Sequence, residues 1–342
     1  MSENSPLQIC LTTMQGTWDN MSRVANAVEQ NGLYGVGIAD SPMVERDMHL
    51  ACAAAALSTN NTKIVTGVTN PVTRHPSVMA SAFAQLEELA PDRVVCGIAT
   101  GDSALWGVGL KPAKLADLRE YILTLKALLR GEEAHWQGNS FRANWSQFEP
   151  FDLPVYVACA GPKSMRMAAQ VADGLIVCVG VAPGDLAWIN ETIAASCAEI
   201  GRNPDELDIW HYTEITFAEN AAVAAQNSLG WFSHWLTLGG TSGKRIPEEY
   251  KPLLAQLNVD TENIDAAYST EGRGAIMVKR AKELGIYDWL ATRSPRLWGT
   301  PREVRERLDA LSALGATKWM LFPDGMTMDD IEVASRLGKV QA

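Results

Sequence analysis

Five short stretches set glycine and small polar residues side by side where apolar runs end: Asp40-Ser41, Gly67-Val68-Thr69-Asn70, Ala99-Thr100-Gly101-Asp102-Ser103, Ala160-Gly161-Pro162-Lys163-Ser164 and Val179-Gly180. Glycine at such a place lets a flat or phosphorylated ligand approach the backbone and opens dihedrals closed to other residues. Tight turns want glycine as well, so one stretch alone says little; several on one rim point to a binding site. "AGPKS" (160–164) opens a helical segment, and free amides at a helix start beside Lys163 and Ser164 would form a phosphate cradle. The alternative is that Ser164 only caps the helix. Asp40 and Asp102 each close an apolar run and are the candidate catalytic residues. Either could position a proton or bind a ring N–H, or merely cap the following turn.

Other chemistry finds less support. The glycines of "GIATGDSA" (97–104) do not form G-x-G-x-x-G, and no acidic residue about 20 positions on completes a dinucleotide fingerprint. Six cysteines include no C-x-x-C pair, and five histidines include no H-E-x-x-H, so buried thiols are expected rather than a metal site. His75 opens a helix after Arg74 and reads as structural, while Trp18 and Trp106 follow strand ends and could wall a ring pocket.

The elements that would position these residues alternate regularly. Apolar strands are expected at 7–13, 34–40, 63–68, 93–100, 154–160, 174–180, 207–218 and 318–322. Helices are expected at 17–31, 45–59, 75–90, from Pro112 to Arg130, and at 163–172, 184–200, 301–315 and 327–338. Strands apolar throughout indicate a parallel sheet covered on its outside. Eight such units favour a closed (β/α)8 barrel, a TIM barrel, formed by the chain 1–342 as a single domain. About 80 residues (219–300) between the seventh strand and the helix before the eighth exceed ordinary loop lengths and read as an insertion over the barrel mouth, its glycine-rich stretch 237–250 as a mobile part. A polar excursion fills 131–153.

With 342 residues, 47% of them hydrophobic, the chain can bury a large core. A net charge of −11 argues against nucleic acid as a partner. The start "MSENSPLQICLTT" lacks a basic, then apolar, leader, and no window reaches the roughly 18 apolar residues of a membrane span, so no membrane partner and a cytoplasmic location are expected.

Three separated blocks carry a resemblance: "TGVTNPVTRHPSVMASAFAQLEELAPDRVVCGIATGDSALWGVGLKPAKLADLREYILTLKALLRG", "PVYVACAGPKSMRMAAQVADGLIV" and "GTPREVRERLDALSALGATKWML". In this order they resemble the bacterial luciferase-like monooxygenase superfamily of flavin- and deazaflavin-dependent oxidoreductases, most closely its methylenetetrahydromethanopterin reductase-like branch. The resemblance implies a non-proline cis peptide at the end of the third strand, here Gly67-Val68, which with Thr69 and Asn70 forms a backrest for the cofactor ring. It places Thr100, Gly101 and Asp102 near that ring, and Ala160, Gly161, Pro162, Lys163 and Ser164 near the phosphate or ribityl chain; Gly180 lies on the same rim. Ser41 stands where some deazaflavin dehydrogenases of the family carry a histidine, which speaks against sugar-phosphate dehydrogenase chemistry.

The function implied is a flavin-dependent oxidoreductase. The preferred form is a two-component monooxygenase that takes reduced FMN, supplied by a flavin reductase partner, and O2, and acts on a small organic substrate in a dry pocket. Hydride transfer through coenzyme F-420 is the alternative, and a flavin-binding protein without turnover is the second. Relatives of this kind imply a homodimer, for which the small-residue helix "DMHLACAAAALS" (47–58) offers a close-packing face.

Overall fold

The structure is a computed structural model that describes residues 7–14, 17–217, 236–237, 241, 244–257, 273–293, 297–323 and 328–338. Eight parallel strands close into a barrel. They are β1 (Gln8–Thr13), β2 (Gly35–Ile38), β3 (Lys63–Thr66), β4 (Val94–Ile98), β7 (Val155–Cys159), β8 (Gly174–Val177), β9 (Asp208–Thr216) and β11 (Lys318–Pro323), paired in that order, with β11 returning to β1. The register runs from Cys10 opposite Gly35 through Cys96 opposite Val155 to Gln8 opposite Lys318. The expected (β/α)8 barrel is the observed fold.

Because helices cover the outside and side chains fill the inside, alternate strand residues enter two different cores. Ile9, Leu11, Cys96, Val157 and Trp319 face outward into the layer beneath the helices. Cys10, Val65, Val95, Tyr156, Ile176, Trp210 and Met320 face inward and fill the barrel. Below them, Asp208 accepts hydrogen bonds from Tyr156 Oη (2.6 Å) and Trp210 Nε1 (3.0 Å) and pairs with Lys318 Nζ, closing the N-terminal end with a charged plug.

Local chemistry sets the helix starts. Thr17 caps Trp18–Gln30, Asp47 caps Met48–Ser58 through Leu50 N–H, and Thr300 with Glu303 forms a reciprocal capping box on Pro301–Ser312. The helix expected from Pro112 begins instead at Leu115. Its first residues are held back, since Ala113 N–H donates to Thr100 O (2.9 Å) and ties the chain to the β4 exit. A short helix at Ser103–Trp106 was not expected, and the excursion 131–153 contains a small hairpin of β5 (Ala134–Trp136) and β6 (Asn139–Phe141).

Within the insertion, helices Lys251–Leu257, Arg273–Glu283 and Tyr287–Arg293 are described, followed by β10 (Leu297–Trp298), which pairs with the top of β9. Of the glycine-rich stretch 237–250 expected to be mobile, 238–240 and 242–243 lie outside the described residues. The insertion has its own apolar cluster, including Leu236, Ile246, Leu254, Leu257 and Leu290. Among the described residues no helix is long and apolar enough to cross a membrane.

One outer-core residue makes the fold acid-sensitive. His211 is 5% exposed, its Nδ1 has no hydrogen-bond partner among the described residues, and its ring lies 5.3 Å from that of Trp319. Burial pushes its pKa down to about 4. The unfolded chain therefore takes up a proton near the ordinary histidine value while the folded chain does not, and stability falls as pH drops from about 6.5 to about 4. In urea titrations across this range, His211→Phe is expected to reduce the pH slope by up to about 1.4 kcal/mol per pH unit; an unchanged slope would assign the acid sensitivity elsewhere.

Candidate functional site

A cavity of about 620 Å³ opens at the C-terminal ends of the strands. Every residue of Gly67–Asn70, Thr100–Asp102 and Ala160–Ser164 lines it, as does Asp40. Gly67-Val68 is a cis peptide, at the end of β3. The residues after it stitch that bulge to β4: Thr69 N–H donates to Gly97 O and Ala99 N–H to Thr69 O, both at 2.9 Å. Asn70 Oδ1 then accepts from Val72 N–H (3.0 Å) and Thr73 N–H (2.9 Å), turning the chain between the two prolines. On the cavity wall, Thr12 Oγ1 and Asn70 Nδ2 are buried without a hydrogen-bond partner among the described residues.

Asp40 is buried and heavily engaged. Its Oδ2 accepts from Thr69 Oγ1 and from Arg74 Nη1, both at 2.6 Å, while Arg74 Nη2 reaches Asp47 Oδ2 at 3.2 Å. Burial opposes the charge on Arg74, but the carboxylates of Asp40 and Asp47 more than offset it and raise the guanidinium pKa. The clamped carboxylate anchors segment 69–74 to the rim.

Asp102 caps the helix Ser103–Trp106: its Oδ1 accepts from Ser103 N–H and, at 3.1 Å, from Ser103 Oγ. The hydroxyls of Ser103 and Ser41, both buried, lie 2.7 Å apart. Between these groups Gly101 sits at φ +94°, and a Cβ there would come within 2.5 Å of Leu105 Cδ1 and 3.2 Å of Asn70 Cβ, so only glycine fits.

At the β7 exit, Gly161 caps Pro162–Val171 with no side-chain hydrogen bond to the helix amides, and Pro162 occupies the first turn. Ser164 Oγ donates to Gly161 O (2.8 Å) rather than capping the amides. Lys163 is exposed at the mouth.

Three expectations need correction. Gly180 is buried and is absent from the cavity wall. It has φ +132°, and a Cβ there would come within 2.4 Å of Asp185 Oδ2, so glycine is required by that carboxylate. Trp18, half-exposed at a helix start, and Trp106, at the end of its short helix, do not line the cavity either. His75 is structural as expected, its Nδ1 accepting from Ser77 N–H at 3.2 Å.

The sequence reading missed Tyr212, Glu214 and Lys244, all on the wall. Glu214 had a legible sign, a carboxylate on the inward alternation of β9 near its C-terminal end. Lys244 had none; it comes from the glycine-rich insertion, is 7% exposed, and its Cε lies 3.8 Å from where a Cβ on Gly161 would stand. Burial lowers its pKa to about 8. Cys178 also faces this space; burial first, then the charge of Asp102, push its thiol up to about 12, which leaves it inert.

The luciferase-like monooxygenase family matches residues 6–318. A 5,10-methylenetetrahydromethanopterin reductase of Methanolobus tindarius is 30% identical over 208 residues, a match spanning 60% of this chain and 63%, less than two thirds, of that relative. An F420-dependent glucose-6-phosphate dehydrogenase of Nakamurella multipartita is 28% identical over 261 residues, 70% of this chain and 76% of that protein. The solved structure of the coenzyme F420 dependent tetrahydromethanopterin reductase of Methanopyrus kandleri shares the fold, with a TM-score of 0.69 at 19% identity over 97% of this chain and 98% of that one. With this family match over residues 6–318, nearly the whole sequence, the chain belongs to the luciferase-like monooxygenase family and is an oxidoreductase.

Proposed function

We propose that this oxidoreductase is a hydride-transfer reductase that uses coenzyme F-420. The names of its relatives support the cofactor. The observation that carries the direction of transfer is the buried Ser41–Ser103 hydroxyl pair at the position after Asp40. Oxidising an alcohol needs a base for the hydroxyl proton. Here Asp40 is tied to Arg74, Asp102 caps the helix Ser103–Trp106, and no histidine lines the cavity among the described residues, which leaves Glu214 and Lys244 as the wall groups that could take a proton. Delivery of hydride to a cationic carbon such as an iminium gives a neutral product and needs neither a base nor an acid.

The residues fit a flavin-type cofactor. The volume suits a tricyclic ring with a small substrate. Gly67-Val68 would back the ring, Thr12 Oγ1 and Asn70 Nδ2 offer it unused polar atoms, and Thr100–Asp102 border it. The amides of Lys163 and Ser164 with the Lys244 ammonium would hold the phosphate. When bound, the deazaflavin supplies the hydride; the chain orients it and excludes water with Met14, Leu118, Met320 and Phe322. The family's own description favours a second reading, monooxygenation with reduced FMN and O2.

Calorimetry with both cofactors and an oxygen electrode separates the two readings. F-420 is expected to bind at least about tenfold tighter than FMN (about 1.4 kcal/mol), and reduced FMN to consume oxygen no faster with the protein than without it. Tighter FMN binding together with altered oxygen uptake would overturn the proposal in favour of the monooxygenase.

A further inference from the structure

Lys244 enters the cavity from an insertion, and what holds it there is a cluster of charges away from the cofactor rim. Asp185, in the first turn of the helix Pro183–Ala198 after β8, is 5% exposed. Its Oδ1 pairs with Arg245 Nη1 at 3.1 Å and lies 3.9 Å from Arg293 Nη2. Arg245 Nη1 also donates to Gly184 O. The Arg293 guanidinium donates to two consecutive carbonyls, Lys244 O and Arg245 O. Arg245 sits at φ +53°, a sharp turn between Lys244 and Ile246, and Ile246 is buried in the insertion's apolar cluster. Around this one dipeptide the Arg245 side chain runs to the barrel helix, the next residue enters the insertion core, and the lysine is directed into the cavity. Gly180 completes the arrangement, because a side chain there would displace the Asp185 carboxylate.

We propose that Asp185 is a positioning residue: by holding Arg245 and Arg293 it fixes the backbone of the insertion so that the Lys244 ammonium stays inside the cavity beside Gly161, ready for an anionic group of a bound ligand. The ligand half of this inference rests on the cofactor reading above, while the positioning half concerns the protein alone. Among the described residues the other charged side chains on the cavity wall are Asp40, Asp102, Lys163 and Glu214, from four further elements or their exits.

The test reads Lys244 directly. Protein labelled with 13C at lysine Cε is titrated by NMR, and Lys244→Arg identifies the resonance. In the wild type one resonance is expected to titrate near about 8. In Asp185→Asn it is expected to move up by more than about one pH unit, toward the exposed lysines near 10.4. Arg293→Lys, which keeps the charge but cannot span two carbonyls, is expected to move it in the same direction and serves if the first variant fails to fold. A loss of Asp185 that mattered only for stability would lower the melting temperature and leave this resonance in place, and that result in a folded variant overturns the proposal. Binding of inorganic phosphate, FMN and F-420 by calorimetry is the separate arm, where Asp185→Asn should weaken each at least about fivefold. If the resonance moves while all three affinities hold, the positioning role stands and the cofactor reading fails.

Discussion

Arg74→Met is expected to lower the folding free energy by about 3–5 kcal/mol, because it leaves the Asp40 carboxylate buried and without its cation. The Asp40 side chain is 2% exposed, so water cannot take over the role of the guanidinium. Thr69 Oγ1 continues to donate to Asp40, but one neutral hydrogen bond does not balance a buried charge. Removing both charges together, as Asp40→Asn with Arg74→Met, is expected to cost less than Arg74→Met alone, since no uncompensated carboxylate remains. The pair Arg23–Glu332, with side chains 58% and 42% exposed, is the control; breaking it should change stability by about 0–1 kcal/mol. Urea denaturation at pH 7 measures all three variants against the wild type. A loss below about 1 kcal/mol for Arg74→Met would mean that the Asp40 site is wetter than its burial implies.

Lys244→Met is expected to weaken cofactor binding by about 10- to 100-fold at pH 7, roughly 1.4–2.8 kcal/mol, the range of a charge-assisted hydrogen bond. The methionine keeps an apolar stem of similar length, so the fold should persist. The exposed Lys163 at the mouth supplies the comparison, and Lys163→Met should alter affinity by less than about threefold. The wild type should also bind with a characteristic pH dependence. Burial lowers the Lys244 pKa to about 8, so the free protein carries the ammonium below that pH and loses it above. An anion favours the charged form, so affinity is flat below about 8 and falls up to tenfold per pH unit above it. Calorimetry at pH 8.5 in two buffers of different ionisation enthalpy should detect proton uptake on binding by the wild type and none by Lys244→Met. Equal affinities and equal uptake would remove Lys244 from the site.

The barrel was legible because most strands are apolar runs that alternate with longer helical segments, so local pattern and global fold agree. The rim was legible for a related reason. Gly67, Gly101 and Gly161 mark places where backbone comes close to the cavity, and backbone demands leave a trace in sequence. Side-chain partnerships leave much less. Nothing in the residues near Asp40 tells a proton carrier from a counter-ion until Arg74, 34 positions away, is seen to fold back upon it. Gly180 carried the same signature as the rim glycines but answers to Asp185 instead. Lys244 was hidden because its environment is supplied by two segments far apart in the chain, the β7 exit and the end of helix Tyr287–Arg293. Pro112 pointed to a helix start that a single backbone bond from Ala113 to Thr100 postpones.

The insertion's separate apolar cluster has an evolutionary consequence. Leu254, Leu257 and Leu290 belong to a nucleus of cohesion that shares no residue with the barrel's cores. Damage to one nucleus should therefore add to damage in the other rather than multiply it. A lineage could then rewrite the insertion, and with it one wall of the reaction chamber, while the catalytic barrel stays under separate selection. What such rewriting must preserve is a small docking grammar, an acid at 185 and two arginines at 245 and 293, through which a new wall would be seated on the old frame.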